Sequence, residues 1–324
     1  MKKIILPLLV LSMAIGMAAC ASKSEAGTET TGVVETEANT ETTDAVETET
    51  NTEASGAAEA YTETVINIDN GDHQIPATVC MPNTEGKHPA VVMLHGTGSQ
   101  RNEAGDGYAH AAPVLAEKYG IATIRIDFMG SGDSTADYTG YTFKSAVADA
   151  VAAANYMAGL DSIDGENIGV MGWSQGGKDA MLSAAWHPET FKAVVTWAGS
   201  PDTGRMVTDE RYAEAKENGY FVMDFDWREP LHVSLQWCED AKNTDVLGEF
   251  SSFTGPVLAI HGKEDTTVDP EWCNKIVEAN SNEASKTFFI DGMDHTFNVF
   301  AEPDLKSLYT AVDATGEFFA EMLK

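Results

Sequence analysis

The chain has 324 residues, room for one large domain or two small ones, and its 43% apolar content supports a sizeable core. Fifty-one acidic residues stand against 20 basic ones, a formal net charge of −31 at pH 7. That charge argues against nucleic acid and anionic membrane surfaces as partners, and it disfavours polyanionic substrates.

The first residues read as a targeting segment. Lys2-Lys3 precede an apolar run from Ile4 to Ile15 that is too short to span a bilayer. Met17-Ala18-Ala19-Cys20 resembles a bacterial lipobox, in which small residues lead to a cysteine that becomes the lipidated N-terminus. Residues 1–19 are therefore expected to be a lipoprotein signal peptide. Cys20 is expected to anchor the protein to a bacterial membrane, in the cell envelope and outside the cytoplasm. From Ala21 to about Ala60 the chain is rich in Thr, Glu and Ala and poor in large apolar residues. Such a segment cannot bury enough surface to offset the cost of ordering its backbone, so residues 20–60 are expected to form a disordered acidic tether. Besides Cys20 there are Cys80, Cys238 and Cys273, too few and too widely spaced for a disulfide framework. A Cys238–Cys273 bridge is conceivable, but free buried thiols are expected. No CxxC pair or His/Cys cluster calls for a metal, and no cofactor is expected.

The folded domain is expected over 61–324. Thr62 to Ile68 and Gln74 to Met81 alternate apolar and polar residues around Asp69-Asn70-Gly71-Asp72, a hairpin signal. Pro89 to Leu94 is a short continuous apolar run, typical of a central parallel strand, and it ends in His95-Gly96-Thr97-Gly98. A helix over Tyr108 to Tyr119 and a strand over Ile121 to Ile126 follow, then the turn Asp127 to Gly132, then helical spacing over Phe143 to Met157. Later come strands over Asn167 to Met171, Ala193 to Trp197, Gly255 to Gly262 and Thr287 to Ile290. Helices are expected over Lys178 to Trp186 and Glu271 to Asn280. Leu305, Leu308, Tyr309, Val312, Phe319 and Met322 fall on one face of a closing helix. Alternating strands and helices after an antiparallel start imply an α/β fold, a mostly parallel sheet with helices on both faces. Ser200 to Thr254 is too long for a simple connection and is expected to be a cap inserted before the seventh strand. Within it, Arg205 to Asn218 and Leu231 to Lys242 look helical. Its Tyr212, Tyr220, Phe221, Phe225, Trp227 and Trp237 could line an acyl pocket or pack the cap onto the body.

The chemistry centres on Gly172-Trp173-Ser174-Gln175-Gly176. Between a strand and a helix, Gly-x-Ser-x-Gly forms a sharp turn that lifts the serine hydroxyl above the sheet, and glycines flank it because a Cβ there would collide. A serine is a weak nucleophile unless a base takes its proton and an acid orients that base. In this architecture they follow in the order Ser, Asp/Glu, His. Asp265 lies just past one strand and His295 just past the last, where open α/β sheets place their sites. Glu264, Asp269, Asp291 and Asp294 compete with Asp265. Asp294 is poorly placed, because sequence neighbours seldom reach each other's ring nitrogen. Of the eight histidines only His295 follows the last strand. His95 and His261 read as loop-shaping residues with buried hydrogen bonds, and Arg125 and Asp127 as loop braces.

Five landmarks in order resemble the α/β-hydrolase superfamily over nearly all of 61–324: His95-Gly96, Asp127-x-x-Gly130-x-Gly132, Gly172-x-Ser174-x-Gly176, His261-Gly262-x-x-Asp265 and Asp294-His295. Within it, the Asp127–Ser134 loop, the cap and the run Thr254 to Gly262 resemble bacterial cinnamoyl/feruloyl esterases and dienelactone-hydrolase-like proteins, although the dienelactone hydrolases carry cysteine at the elbow. The resemblance implies a serine esterase with Ser174 as nucleophile, His295 as general base and Asp265 as the orienting acid, chosen by its Gly-x-x-Asp pattern. It also implies an oxyanion hole from the backbone N–H groups of Gln175 and Thr97. A small-molecule carboxylic ester is the expected substrate, with hydroxycinnamoyl and short acyl esters as the classes considered, and the oligomeric state is left open. The rivals are an acyltransferase using the same three residues, a peptidase, disfavoured because no propeller or gating domain is seen ahead of the hydrolase segment, and a non-catalytic ligand-binding lipoprotein.

Overall fold

The computed structural model describes residues 59–324. The expected signal peptide, Cys20 and the acidic segment up to residue 58 lie outside the described residues. The chain opens with an antiparallel hairpin, β1 (Tyr61–Asp69) and β2 (Gln74–Pro82), turning at Gly71 with φ 84°. Then come β3 (His88–Leu94), α1 (Gly107–Tyr119), β4 (Ala122–Ile126), α2 (Phe143–Ala158), β5 (Ile163–Trp173), α3 (Gln175–Trp186) and β6 (Ala193–Trp197). An insertion follows: α4 (Asp209–Asn218), β7 (Tyr220–Met223), β8 (Leu231–Ser234), α5 (Leu235–Asn243) and α6 (Val246–Phe250). The body resumes with β9 (Val257–Gly262), α7 (Glu271–Ala279), β10 (Lys286–Ile290) and α8 (Lys306–Met322).

Eight strands form one sheet in the order β1-β2-β4-β3-β5-β6-β9-β10. From β4 to β10 every pairing is parallel, and β2 runs antiparallel to both its neighbours. The central strands are buried on both faces, so alternate residues feed two cores. Ala90, Val92 and Leu94 of β3 join the core under α2, α3 and α7, while Val91 and Met93 join the core under α1 and α8. β9 divides in the same way, Val257 and Ala259 against Leu258 and Ile260. This is the α/β-hydrolase architecture, and it brings the C-terminal ends of β3, β5, β9 and β10 to one edge.

Two local expectations are corrected. Leu231 to Lys242 is not one helix: residues 231–234 form β8, paired antiparallel with β7. Leu231 and Val233 are buried and His232 is exposed, a period of two rather than 3.6. The helix begins only after Ser234, whose hydroxyl caps it by accepting from the Trp237 N–H at 3.2 Å. Tyr309 is 37% exposed, one step round α8 from the buried Leu308 and Val312. Cys80, Cys238 and Cys273 are free and buried.

Candidate active site

Ser174 sits between the last residue of β5 and the first of α3 with φ 56° and ψ −117°, a conformation that costs an L-residue about 1–3 kcal/mol. The surroundings enforce it. The Ser174 N–H donates to the Trp197 carbonyl at 2.8 Å, and its carbonyl accepts from Gly177 and Ser200, both at 3.0 Å. A Cβ on Gly172 would run into the Gly176 backbone, and one on Gly176 into the Leu94 carbonyl. The helix therefore starts hard against the strand ends, with no room for a slacker turn.

The structure brings His295 and Asp265 to this serine. His295 Nε2 lies 3.0 Å from Ser174 Oγ, and His295 Nδ1 lies 2.7 Å from Asp265 Oδ2. With Nδ1–H donating to the carboxylate, Nε2 is left as an acceptor for the serine hydroxyl. The loop carrying His295 winds around Asp294, whose Oδ1 accepts from Thr296 and Asn298, so Asp294 builds the turn and does not meet the ring. Trp173 Nε1 donates to the His295 carbonyl at 3.0 Å and ties that turn to the elbow. Glu264, Asp269 and Asp291 make no contact with His295.

Asp265 is held by four donors. Oδ1 accepts from the N–H groups of Thr267 and Val268 at 2.8 and 2.9 Å, and Oδ2 accepts from both His295 and His261, the latter at 3.0 Å. Burial alone would raise its pKa, but hydrogen bonds from the two imidazoles outweigh burial and hold the carboxyl well below the usual range. His261 thus does more than shape a loop: it fixes the acid. Nothing in the sequence distinguished that role from a plain buried histidine.

Thr97 and Gln175 line the same cavity as Ser174. Among the described residues no protein acceptor takes the backbone N–H of either. The loop after β3 is anchored by Glu103, a buried residue absent from the sequence reading. Its carboxylate accepts from the Gly96 N–H, from Ser99 Oγ at 2.8 Å and from the Ala104 N–H at 2.6 Å. Arg228, from the insertion, donates to the Gly98 carbonyl at 2.6 Å. His95 is buried, with Nδ1 2.9 Å from the Gly96 carbonyl, and its Nε2 accepts from Phe128 N–H. Asp127 accepts from the backbone and guanidinium of Arg101, and Arg125 donates to Glu63, bracing contacts in both cases.

A cavity of about 1040 Å³ opens over Ser174 and His295. The insertion contributes Met206, Met223, Phe225 and Trp227 to its wall, so its first half covers the site. Its second half packs on the body: Trp237 meets Phe143 edge-on at 6.2 Å, and Asp240 accepts from the Phe143 N–H. Of the six aromatic residues considered, Tyr212, Tyr220, Phe221 and Trp237 do not line the cavity. Among the described residues no group of three His, Cys, Asp or Glu side chains is gathered as for a metal.

The parallel sheet, the elbow and the Ser174–His295–Asp265 series define an α/β hydrolase. The match to the prolyl oligopeptidase family model spans residues 107–298, more than half of the chain and all three of these side chains; the chain belongs to that family. It is 30% identical over 197 residues to 2,6-dihydropseudooxynicotine hydrolase of Paenarthrobacter nicotinovorans, covering 59% of this chain and 48% of that one. It is 34% identical over 133 residues to the pimeloyl-[acyl-carrier protein] methyl ester esterase of Chromobacterium violaceum, covering 41% and 44%. The chain spans about half the length of the curated relatives it matches. Among solved structures, Est1E from Butyrivibrio proteoclasticus with ferulic acid bound superposes with a TM-score of 0.66 at 24% identity, over 79% of this chain and 98% of that one. The dienelactone hydrolase of Anabaena variabilis superposes with a TM-score of 0.57 at 20% identity, over 82% and 100%. These similarities establish the fold.

Proposed function

We propose that the protein is a serine esterase that cleaves carboxylic esters through an acyl-enzyme, anchored outside the cytoplasm by a lipid on Cys20. The observation that carries the reading is the pair of contacts at His295, 3.0 Å to Ser174 Oγ and 2.7 Å to Asp265 Oδ2. In this scheme His295 takes the serine proton as Ser174 Oγ attacks the ester carbonyl. The N–H groups of Thr97 and Gln175 receive the oxyanion. His295 then returns the proton to the leaving alcohol, and water attacks the acyl-enzyme by the same route. Asp265 stabilises the imidazolium that forms at each step. The apolar wall of Met206, Met223, Phe225 and Trp227 suits an aromatic or short aliphatic acyl group. The anchor rests on the lipobox and the short apolar run before it. A methyl ester esterase among the relatives is consistent with ester chemistry.

Peptide cleavage is the second reading, favoured by the family to which the chain belongs. One panel separates the two: p-nitrophenyl acetate and butyrate, methyl ferulate, an acetylated sugar and a prolyl p-nitroanilide, each with the purified full chain and with Ser174→Ala. Ester turnover is expected, with a loss of about 10⁴-fold or more in kcat for the variant. Cleavage of the anilide alone would transfer the assignment to a peptidase. Ester turnover that survives Ser174→Ala would remove Ser174 from the reaction.

A further inference from the structure

The first turn of α3 carries a buried ion pair with no part in the scheme above. Lys178 and Asp179 are fully buried, and Lys178 Nζ lies 2.9 Å from Asp179 Oδ1 and 3.5 Å from the centre of the Phe143 ring. Burying two charges is costly, and such a pair is weak evidence of added stability. Its neighbours lead somewhere else. Tyr141 donates its O–H to Asp179 Oδ2 at 2.6 Å, and Gln175 Nε2 donates to the Tyr141 oxygen at 2.7 Å. Thr97 Oγ donates to Gln175 Oε1 at 2.9 Å. The chain of bonds therefore runs from the ion pair to the two residues whose backbone N–H groups flank Ser174.

Each bond dictates the direction of the next. A carboxylate only accepts, so the Tyr141 proton must point to Asp179, and the phenol oxygen is left to accept from Gln175. That fixes the amide with its NH₂ toward Tyr141 and its oxygen toward Thr97, so the Thr97 hydroxyl must donate. Burial raises the Tyr141 pKa well above that of an ordinary phenol, which keeps the donor protonated. Reversing the Tyr141 hydroxyl or the Gln175 amide would set like groups face to face at a buried contact.

We infer that the relay Lys178–Asp179–Tyr141–Gln175–Thr97 is a positioning device that sets the spacing of the Gln175 and Thr97 N–H donors. Tyr141, Asp179 and Lys178 act through the Gln175 side chain and touch no reacting atom. Oxyanion donors act over a narrow range, about 2.7–3.1 Å, so a fraction of an ångström matters. Gln175 has two tasks: its backbone donates, and its side chain ties that backbone to Thr97 across the site. The inference rests on the oxyanion assignment made above.

The test uses the full chain and four forms: wild type, Tyr141→Phe, Gln175→Met and the double variant. Gln175→Met keeps the backbone donor and removes only the link. On an ester that wild type cleaves in a Ser174-dependent way, each single variant is expected to lower kcat about ten- to hundredfold, with KM changed less than about twofold. The affinity of n-butylboronic acid, whose tetrahedral adduct on Ser174 mimics the transition state, should fall in step with kcat/KM. The double variant should be no worse than the poorer single, because both break one chain. Conversely, kcat and boronate affinity held within about twofold in Tyr141→Phe would overturn the inference. So would a double variant whose loss equals the product of the two single losses. Wild-type turnover that survives Ser174→Ala would instead sink the esterase reading, so the two failures are told apart.

Discussion

Asp265 receives four hydrogen bonds, more than any other side chain of the site. A carboxyl whose native pKa lies below its unfolded value of about 3.9 binds fewer protons folded than unfolded. Its contribution to stability is thus present above about pH 4 and is lost as pH falls through that value toward the lower native one. Asp265→Asn removes this contribution at all pH values. The difference in melting temperature between wild type and Asp265→Asn is therefore expected to be larger at pH 6 than at pH 3. A difference that stays constant over that range would show that the hydrogen bonds do not bias the titration. Ser174 makes a complementary point at the same scale. Its positive φ is imposed by glycines at 172 and 176 and by three backbone partners, so the strain belongs to the neighbourhood and not to the serine.

Among the elements, the loop after β3 depends most on a single side chain. Glu103, itself at φ 66°, gathers Gly96, Ser99 and Ala104 around one carboxylate. Glu103→Gln replaces an acceptor-only group with one that has a single acceptor oxygen and a competing donor. At least one buried donor is then left unmet, at a cost of about 1–3 kcal/mol. Lower thermal stability and a drop in kcat of about tenfold are expected together, measured by calorimetry and ester turnover. If stability falls with kcat intact, Glu103 supports the fold without governing the Thr97 donor. The insertion is equally divided in its work, covering the site with its first half and gripping α2 and α3 with its second.

At the scale of the whole molecule the decisive feature is the sheet, buried on both faces so that its C-terminal edge collects loops from β3, β5, β9 and β10. The proposed anchor belongs to this scale too, because it sets where the hydrolase works. Metabolic labelling with an alkynyl palmitate, followed by membrane fractionation, checks it in a bacterial host. The full chain is expected to carry label and sediment with membranes, and Cys20→Ala to lose both. Label persisting in Cys20→Ala, or none in the parent, would refute lipidation at Cys20.

Much of this was legible in the sequence because it is local. Periodicity revealed the alternating strands and helices, and the glycines around Ser174 marked a turn that no larger residue could make. The meeting of Ser174, Asp265 and His295 was legible because each falls just past a strand end, and strand ends in such a sheet converge. Where two local signals competed, as between helix and strand at Leu231 to Ser234, pairing with β7 decided. What only the tertiary structure supplied are the partners of these residues. Glu103, Tyr141 and Asp179 have no motif of their own, and the landmark His261-Gly262-x-x-Asp265 does not say that the His261 ring meets the Asp265 carboxylate; these roles come from burial beside a polar neighbour. Tyr141 and Gln175 are 34 positions apart in the chain yet share a 2.7 Å hydrogen bond. No spacing rule links them, because the contact exists only once α2 and α3 pack on one face of the sheet.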